Sequence, residues 1–248
     1  MLNVNITILK SEGSVNRWLY IFIDFLMFYA ILYFMTKQEI RKEIKNKFKA
    51  LSSGKIRKES EALCKVILES KLYTSCTTLL AYMPLEDEAD IKPVIQKALS
   101  QGKKVFLPRV FPDTNQMEFF RYQEDTKTEA GSFGIAEPPA DNKLSFTRFL
   151  EKMSINEYSP AAHSSNFVEI DAHENPIEHI LILVPGRAFT KDGKRLGRGK
   201  GFYDIYLSKM PLIFDIKKSG VCLPCQLLTE LPATPDDIMM DNVFCGES

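Results

Sequence analysis

Ile180-Leu-Ile-Leu-Val184, closed by Pro185, is a run of five apolar residues without a polar interruption. A half-exposed strand alternates apolar with polar residues. A strand covered on both faces does not, and that is the habit of a parallel sheet lying between helices. Further along comes Arg195-Leu-Gly-Arg-Gly-Lys-Gly-Phe-Tyr-Asp204, in which Gly197, Gly199 and Gly201 alternate with Arg198 and Lys200. Phe202, Tyr203, Tyr206 and Leu207 then recur at helical spacing, and Pro211 ends the pattern. The glycine-cation segment therefore lies between the carboxyl end of a buried strand and the start of a helix. Open α/β sheets bind ligands at that edge, and helix N-termini attract anions.

Glycine has no Cβ, so such a segment can take positive φ and turn its N–H groups toward a ligand. Guanidinium and ammonium groups at alternate positions neutralise a polyanion. A carboxylate just beyond, Asp204, is placed to hold a hard cation bridging phosphate oxygens. The stretch reads as a nucleotide-phosphate site, against the plainer reading of a solvated surface hairpin. It is not a P-loop, because Lys200 is followed by Gly201 and the residue five before Gly199 is Lys194. Nor is it the G-x-G-x-x-G fingerprint, since its glycines recur at every second position.

Strands are expected over Thr78 to Met83, Lys104 to Leu107 and Met117 to Arg121. A helix carrying Ile91, Val94, Ile95, Ala98 and Leu99 lies between the first two and ends at Gly102. That is a βαβ unit, right-handed by default. Ahead of it, Ile40, Ile44, Phe48 and Leu51 share one face of a helix with a basic opposite side. A second helix runs through Ala62, Leu63, Val66 and Ile67. The alternation makes the fold α/β.

The chain has 248 residues, 32 of them basic and 32 acidic, for a formal net charge of zero. Duplex nucleic acid is therefore not the expected partner, because such binders carry a basic excess. The positive charge is local: Lys191, Lys194, Arg195, Arg198 and Lys200 are opposed nearby by Asp192. Five cysteines at irregular spacing do not make a disulfide framework, and Cys222-Leu-Pro-Cys225 lacks a second ligand pair for zinc. The three histidines, His163, His173 and His179, have no ligand spacing.

Val184-Pro-Gly-Arg-Ala-Phe-Thr-Lys-Asp-Gly-Lys-Arg-Leu-Gly-Arg-Gly-Lys-Gly-Phe-Tyr-Asp204 closely resembles the signature of the 5-formyltetrahydrofolate cyclo-ligases, also called 5,10-methenyltetrahydrofolate synthetases. Lys37-Gln-Glu-Ile-Arg41, Ala81-Tyr-Met-Pro with Glu88, Gly102-Lys-Lys-Val-Phe-Leu-Pro-Arg109, Gly134-Ile-Ala-Glu-Pro138 and Pro235-Asp-Asp-Ile-Met-Met-Asp241 match further landmarks, from about Met35 to Phe244. The resemblance implies a three-layer, Rossmann-like fold around a largely parallel sheet. It also implies ATP- and Mg²⁺-dependent closure of 5-formyltetrahydrofolate to 5,10-methenyltetrahydrofolate, with release of ADP and phosphate.

By that resemblance Lys37, Arg41 and the segment Arg195, Leu196, Gly197, Arg198, Gly199, Lys200, Gly201, Phe202 and Tyr203 would hold ATP. Asp204 and Asp237 would hold Mg²⁺. Tyr82 and Glu88 would line the folate site, with Met83 as the other choice for Tyr82. Arg198 to Phe202 would face the formyl group and the transferred phosphoryl, with Arg198 and Lys200 acting in catalysis. The chain departs from the family pattern at Phe202, where tyrosine is usual. It departs again at Asp236, and at Gly220 to Pro224, where an irregular final strand is expected.

Trp18 to Met35 is apolar and aromatic except for Asp24, eighteen residues at the short end of what spans a bilayer. It reads either as a membrane anchor or as an extension ahead of a natural start at Met35. The expected organisation is this extension over 1–35 and one cyclo-ligase-like domain over 36–248, with a polar, loop-rich insertion near 141–178. A monomer in the cytoplasm is expected, or a membrane-anchored protein if the extension serves as an anchor. Two rivals remain: an isomerase or CoA transferase of related fold, which needs no ATP, and a non-catalytic, membrane-tethered folate-binding relative.

Overall fold

The protein is described from a computed structural model, over residues 35–131, 134–157, 178–211 and 214–246. Met1–Thr36 and Lys37–Ser248 are separate compact units, and the sheet with its helices belongs to the second. The anchor or extension lies almost wholly outside the described residues. Among those residues no helix is long and apolar enough to cross a membrane.

Two helices open the unit. In α1 (Lys37–Lys49) the buried residues Ile40, Ile44 and Phe48 fall four apart, on one stripe. In α2 (Ser53–Glu69) the Ser52 hydroxyl caps the first turn, accepting from Lys55 N at 3.2 Å. A short α3 (Lys71–Ser75) leads into the sheet.

The central sheet contains β1 (Thr78–Leu80), β2 (Lys104–Phe111), β3 (Gln116–Tyr122), β6 (His179–Pro185), β9 (Asp215–Cys222) and β11 (Asn242–Cys245). Their spatial order is β11-β9-β6-β1-β2-β3, all parallel except β3, which returns antiparallel to β2 along the edge. From β1 the order runs one way to β2 and β3, and from β6 the other way to β9 and β11. The chain direction across the sheet thus reverses between β1 and β6, leaving a crevice beyond their carboxyl ends.

Strand residues alternate between two cores, which makes the unit three-layered. Leu79, Val105, Leu107, Leu181 and Leu183 face α2 and α4 (Lys92–Ser100). Leu80, Phe106, Ile180, Ile182 and Val184 face α5 (Phe146–Glu157) and α6 (Phe202–Leu207). Ile180 to Val184 are at most 1% exposed, so both faces of β6 are covered as their apolar run requires. A hairpin, β7 (Ala188–Thr190) with β8 (Arg195–Leu196), projects after β6 and is extended by β10 (Leu227–Leu228). Helix α1 packs Ile40 and Ile44 against Ala188, Leu196 and Leu231. A small ribbon, β4 (Glu129–Ala130) with β5 (Ala136–Glu137), lies off the edge.

One sequence expectation needs correction. The strand expected to be irregular at Gly220 to Pro224 is β9, which runs regularly to Cys222, laddered to β6 from Asp215 to Val221 and to β11 from Ser219 to Cys222, and β11 rather than β9 ends the sheet. Within the segment near 141–178, α5 buries Phe146 and Leu150 in the second core; residues 158–177, with His163, His173 and the stretches expected as loop, lie outside the described ones. Helix α6, Phe202–Leu207, spans the residues whose spacing called for it and ends before Pro211.

Candidate active site

The crevice at the strand reversal is lined from both sides. The turn after β1 contributes Tyr82, Met83 and Glu88, and the chain after β6 contributes Arg195, Arg198 and Tyr203. Lys200, Gly201, Phe202 and Asp204 complete that second wall. The cavity is about 130 Å³. That is below the several hundred Å³ usual for drug-sized ligands, so it suits one ring system with the rest of a ligand outside.

The second wall has its shape because of two glycines. Gly199 has φ +103° and Gly201 φ +73°, in the region where a Cβ crowds the neighbouring carbonyl. Gly201 precedes α6, and its carbonyl accepts from Ile205 N at 2.9 Å. Lys200, between them, is exposed and makes no hydrogen bond or ion pair among the described residues. It is a cation open to an incoming anion.

Arg195 points inward. Its side chain is 4% exposed, Nη2 donates to both Asp204 oxygens at 2.9 Å, and Nη1 donates to Pro185 O at 3.1 Å. Its guanidinium carbon lies 5.6 Å from the Tyr203 ring centroid. Arg195 Nε and the Tyr203 hydroxyl are buried without a hydrogen-bond partner among the described residues. Buried polar atoms are nearly always paired, with protein or ordered water, and both residues line the crevice, so a ligand or water entering it can satisfy them. Burial, with Glu88 nearby, pushes the Tyr203 hydroxyl far above its ordinary pKa, so it stays protonated and can donate.

Arg198 crosses the crevice to the β1 side. Its Nε and Nη2 lie 3.0 and 2.9 Å from Glu88 Oε1, and Nη2 also bonds Asp87 Oδ1. Glu88 Oε2 accepts from Leu85 N at 3.1 Å, and its side chain is 7% exposed. Burial pulls the Arg198 pKa down, but hydrogen bonds and charge from Asp87 and Glu88 outweigh it and the net shift is upward. Tyr82 lends its ring to the crevice, since its hydroxyl is already bonded to Ala89 O at 3.0 Å.

Helix α1 approaches the same segment. Arg41 Nε donates to Gly197 O at 2.8 Å, and the Arg41 guanidinium is the nearest group to Gly199. Lys37, one turn earlier, bonds both Asp237 oxygens at 2.8 and 2.6 Å. Leu196 is 2% exposed and packs under α1, so it can serve a ligand through its backbone alone. Asp237 sits in the turn after Thr234. Burial raises its pKa, but the hydrogen bonds from Lys37 and Thr234 more than reverse this.

No group of three or more His, Cys, Asp or Glu side chains gathers to hold a metal among the described residues. Mg²⁺ seldom has such a cage; one or two carboxylates and phosphate oxygens suffice. Asp204 and Asp237 fit that use. Their side chains are 26% and 21% exposed, and a carboxylate oxygen bonded to one cation keeps a second lone pair.

Sequence reasoning missed Asp87, Arg187 and Glu137. Arg187 bonds Asp87, and Glu137 lines the crevice while 4% exposed. Burial of a charged side chain is the signal that singles out Glu137, and one sequence does not show it. All five cysteines are free of disulfides, and burial chiefly pushes the Cys225 thiol up to about 11.

The 5-formyltetrahydrofolate cyclo-ligase family model matches residues 34–153 and 140–246. A 5-formyltetrahydrofolate cyclo-ligase of Mus musculus is 28% identical over 217 residues, 86% of this chain and 94% of the relative. The 5,10-methenyltetrahydrofolate synthetase of Aquifex aeolicus superposes with a TM-score of 0.62 at 27% identity, covering 86% of this chain and 91% of that one. The synthetase of Mycoplasma pneumoniae, at 21% identity and a TM-score of 0.55 over 85% of this chain and 98% of its own, shares the fold.

Proposed function

The chain belongs to the 5-formyltetrahydrofolate cyclo-ligase family, a family of ligases that make methenyltetrahydrofolate from 5-formyltetrahydrofolate, and we propose that it drives this ring closure with ATP and Mg²⁺. An N-formyl oxygen is a poor leaving group. Transfer of the γ-phosphoryl group to that oxygen forms a C–O–P linkage and releases ADP. Nitrogen 10 then attacks the formyl carbon, the C–O bond breaks with departure of phosphate, and the nitrogen's proton passes to solvent. The protein supplies no nucleophile. It aligns the reactants and neutralises charge as it moves.

The observation that carries this reading is a single crevice walled by a buried carboxylate, Glu88, on one side and the Arg195–Asp204 segment on the other. Glu88 suits the amino and ring N–H groups of a pterin, and the rings of Tyr82 and Phe202 supply apolar walls. Met83 lines the same wall. The Tyr203 hydroxyl and Arg195 Nε, unpartnered at the crevice, would bond the oxygen-rich centre where folate and triphosphate meet.

Lys200 and Arg198 would face the moving phosphoryl, while Lys37, Arg41 and the Gly197–Gly201 backbone would hold the rest of the nucleotide. Arg195 would act chiefly by fixing Asp204. Mg²⁺ on Asp204 and Asp237 would screen phosphate charge and orient the terminal phosphoryl.

The test is the appearance of methenyltetrahydrofolate absorbance when purified protein meets 5-formyltetrahydrofolate, with and without ATP and Mg²⁺. Gain only with both supports the reading. Folate binding without ADP release would favour the non-catalytic relative, and turnover without ATP would exclude the mechanism.

A further inference from the structure

Asp87 stands between two guanidiniums. Arg198 Nη2 bonds its Oδ1; Arg187 Nη1 bonds its Oδ2, which also lies 3.5 Å from Arg198 Nη1. Arg187 leaves the end of β6, where its N–H donates to Leu196 O at 2.7 Å and its carbonyl accepts from the buried Gln226 Nε2 at 3.3 Å. Its backbone is therefore pinned from two sides, and its side chain is 12% exposed. Arg198 is held from below by Glu88. Two guanidiniums converging on one carboxylate oxygen would separate by repulsion without the charge between them.

We propose that Asp87 is a positioning residue that holds Arg187 and Arg198 as a paired clamp for the phosphoryl group, making Arg187 a further cation of the reaction. The proposal rests on the ATP-dependent function and deepens it at the crevice wall that Arg198 and Glu88 line. A phosphoryl group presents several oxygens, and two forked guanidiniums held side by side can engage different ones at once. The four charges Arg187, Arg198, Asp87 and Glu88 sum to zero, so the cluster is preorganised in the resting protein without a large unbalanced charge. A transferring phosphoryl spreads charge over its oxygens, so a fixed pair of donors is worth more in the transition state than in the ground state.

The experiment is steady-state turnover of the full chain, with ATP and 5-formyltetrahydrofolate varied separately, for wild type, Asp87→Asn, Asp87→Glu, Arg187→Gln and the double variant Asp87→Asn/Arg187→Gln. Asp87→Asn should lower kcat by at least about tenfold while leaving KM for 5-formyltetrahydrofolate within about twofold. Asp87→Glu should restore part of kcat, and Arg187→Gln should lower kcat about as much as Asp87→Asn does. The double variant should lose little more kcat than Asp87→Asn, because the two residues act as one unit. An Asp87→Asn protein with unchanged kcat and only a lower melting midpoint would make the residue structural and overturn the proposal. Tighter ATP binding at unchanged kcat would make it a brake, with the same result. If Asp87→Asn does not fold, Arg187→Gln decides: an unchanged kcat overturns the clamp. A wild-type chain without ATP-dependent turnover would instead remove the functional reading, and the clamp with it.

Discussion

Lys37 Nζ lies 2.6 Å from one carboxylate oxygen of Asp237 and 2.8 Å from the other, a contact between residues 200 positions apart. The pair joins the first helix to the turn before the last strand, on the side where Arg41 meets Gly197. Its side chains are 27% and 21% exposed, and pairs of that kind contribute about 0.2–1 kcal/mol to stability. Lys37→Met should therefore barely shift the melting midpoint. It should raise KM for ATP about tenfold, the cost of one charge-assisted hydrogen bond to phosphate. Unchanged KM for ATP in this variant would leave Lys37 a purely structural residue.

Tyr203→Phe removes a buried hydroxyl that has no protein partner among the described residues. Deleting an unsatisfied polar atom costs a fold nothing, so stability should hold or rise slightly. If ligand satisfies that hydroxyl, turnover should fall about tenfold, by roughly 1–1.5 kcal/mol. Parallel melting and turnover measurements separate the two effects. A variant that melts earlier than wild type would show that the hydroxyl has a structural partner.

Alanine at Gly199 should harm turnover more than alanine at Gly201. Both positions have positive φ, but +103° at Gly199 lies farther from the left-handed helical basin than +73° at Gly201, where a side chain costs about 1–2 kcal/mol. Neither added Cβ would meet an atom closer than 3.6 Å, so the penalty is conformational. Comparison of kcat for the two variants tests the order.

Glu178 gives a pH prediction away from the crevice. It sits at the amino ends of β1, β2 and β6, bonded to Thr77, Thr78 and Lys104. Burial works to raise its pKa, but the hydrogen bonds from Lys104 and Thr77 prevail and hold it below the ordinary 4.5. A depressed folded pKa means stability that is complete above the ordinary value and lost as pH falls through the folded one. Glu178→Gln should thus be less stable at neutral pH by about 1–3 kcal/mol. Its deficit should shrink as pH drops below 4.5, while neutral turnover stays at the wild-type level. Denaturant melts across that range check both.

What the sequence shows and what it hides divide along chain distance. Ile180 to Val184 announces a covered strand because burial on both faces writes itself into consecutive residues, and Arg195 to Asp204 announces an anion site for a similar local reason. Helix α5 is legible too: Phe146, Phe149, Leu150 and Met153 recur three and four apart, though the surrounding polar residues argue for loop. Strand β11 is only Asn242–Cys245, too short to carry a period. Asp215, Lys217 and Lys218 disguise β9, a strand whose first half is partly exposed. Asp87 and Arg187 stay hidden because their pairing spans 100 positions; in one dimension each is an ordinary turn charge.

The reversal of strand order between the parallel β1 and β6 has a bearing on biosynthesis. The walls that face each other there come from distant parts of the polypeptide: Glu88 emerges early and Arg198 late, and the Lys37–Asp237 contact likewise waits for the end of the chain. A ribosome-bound intermediate that has already folded its first βαβ unit still lacks the opposing wall. On the proposed reading such an intermediate would carry only half of its ligand site, so ligand binding would report completed translation.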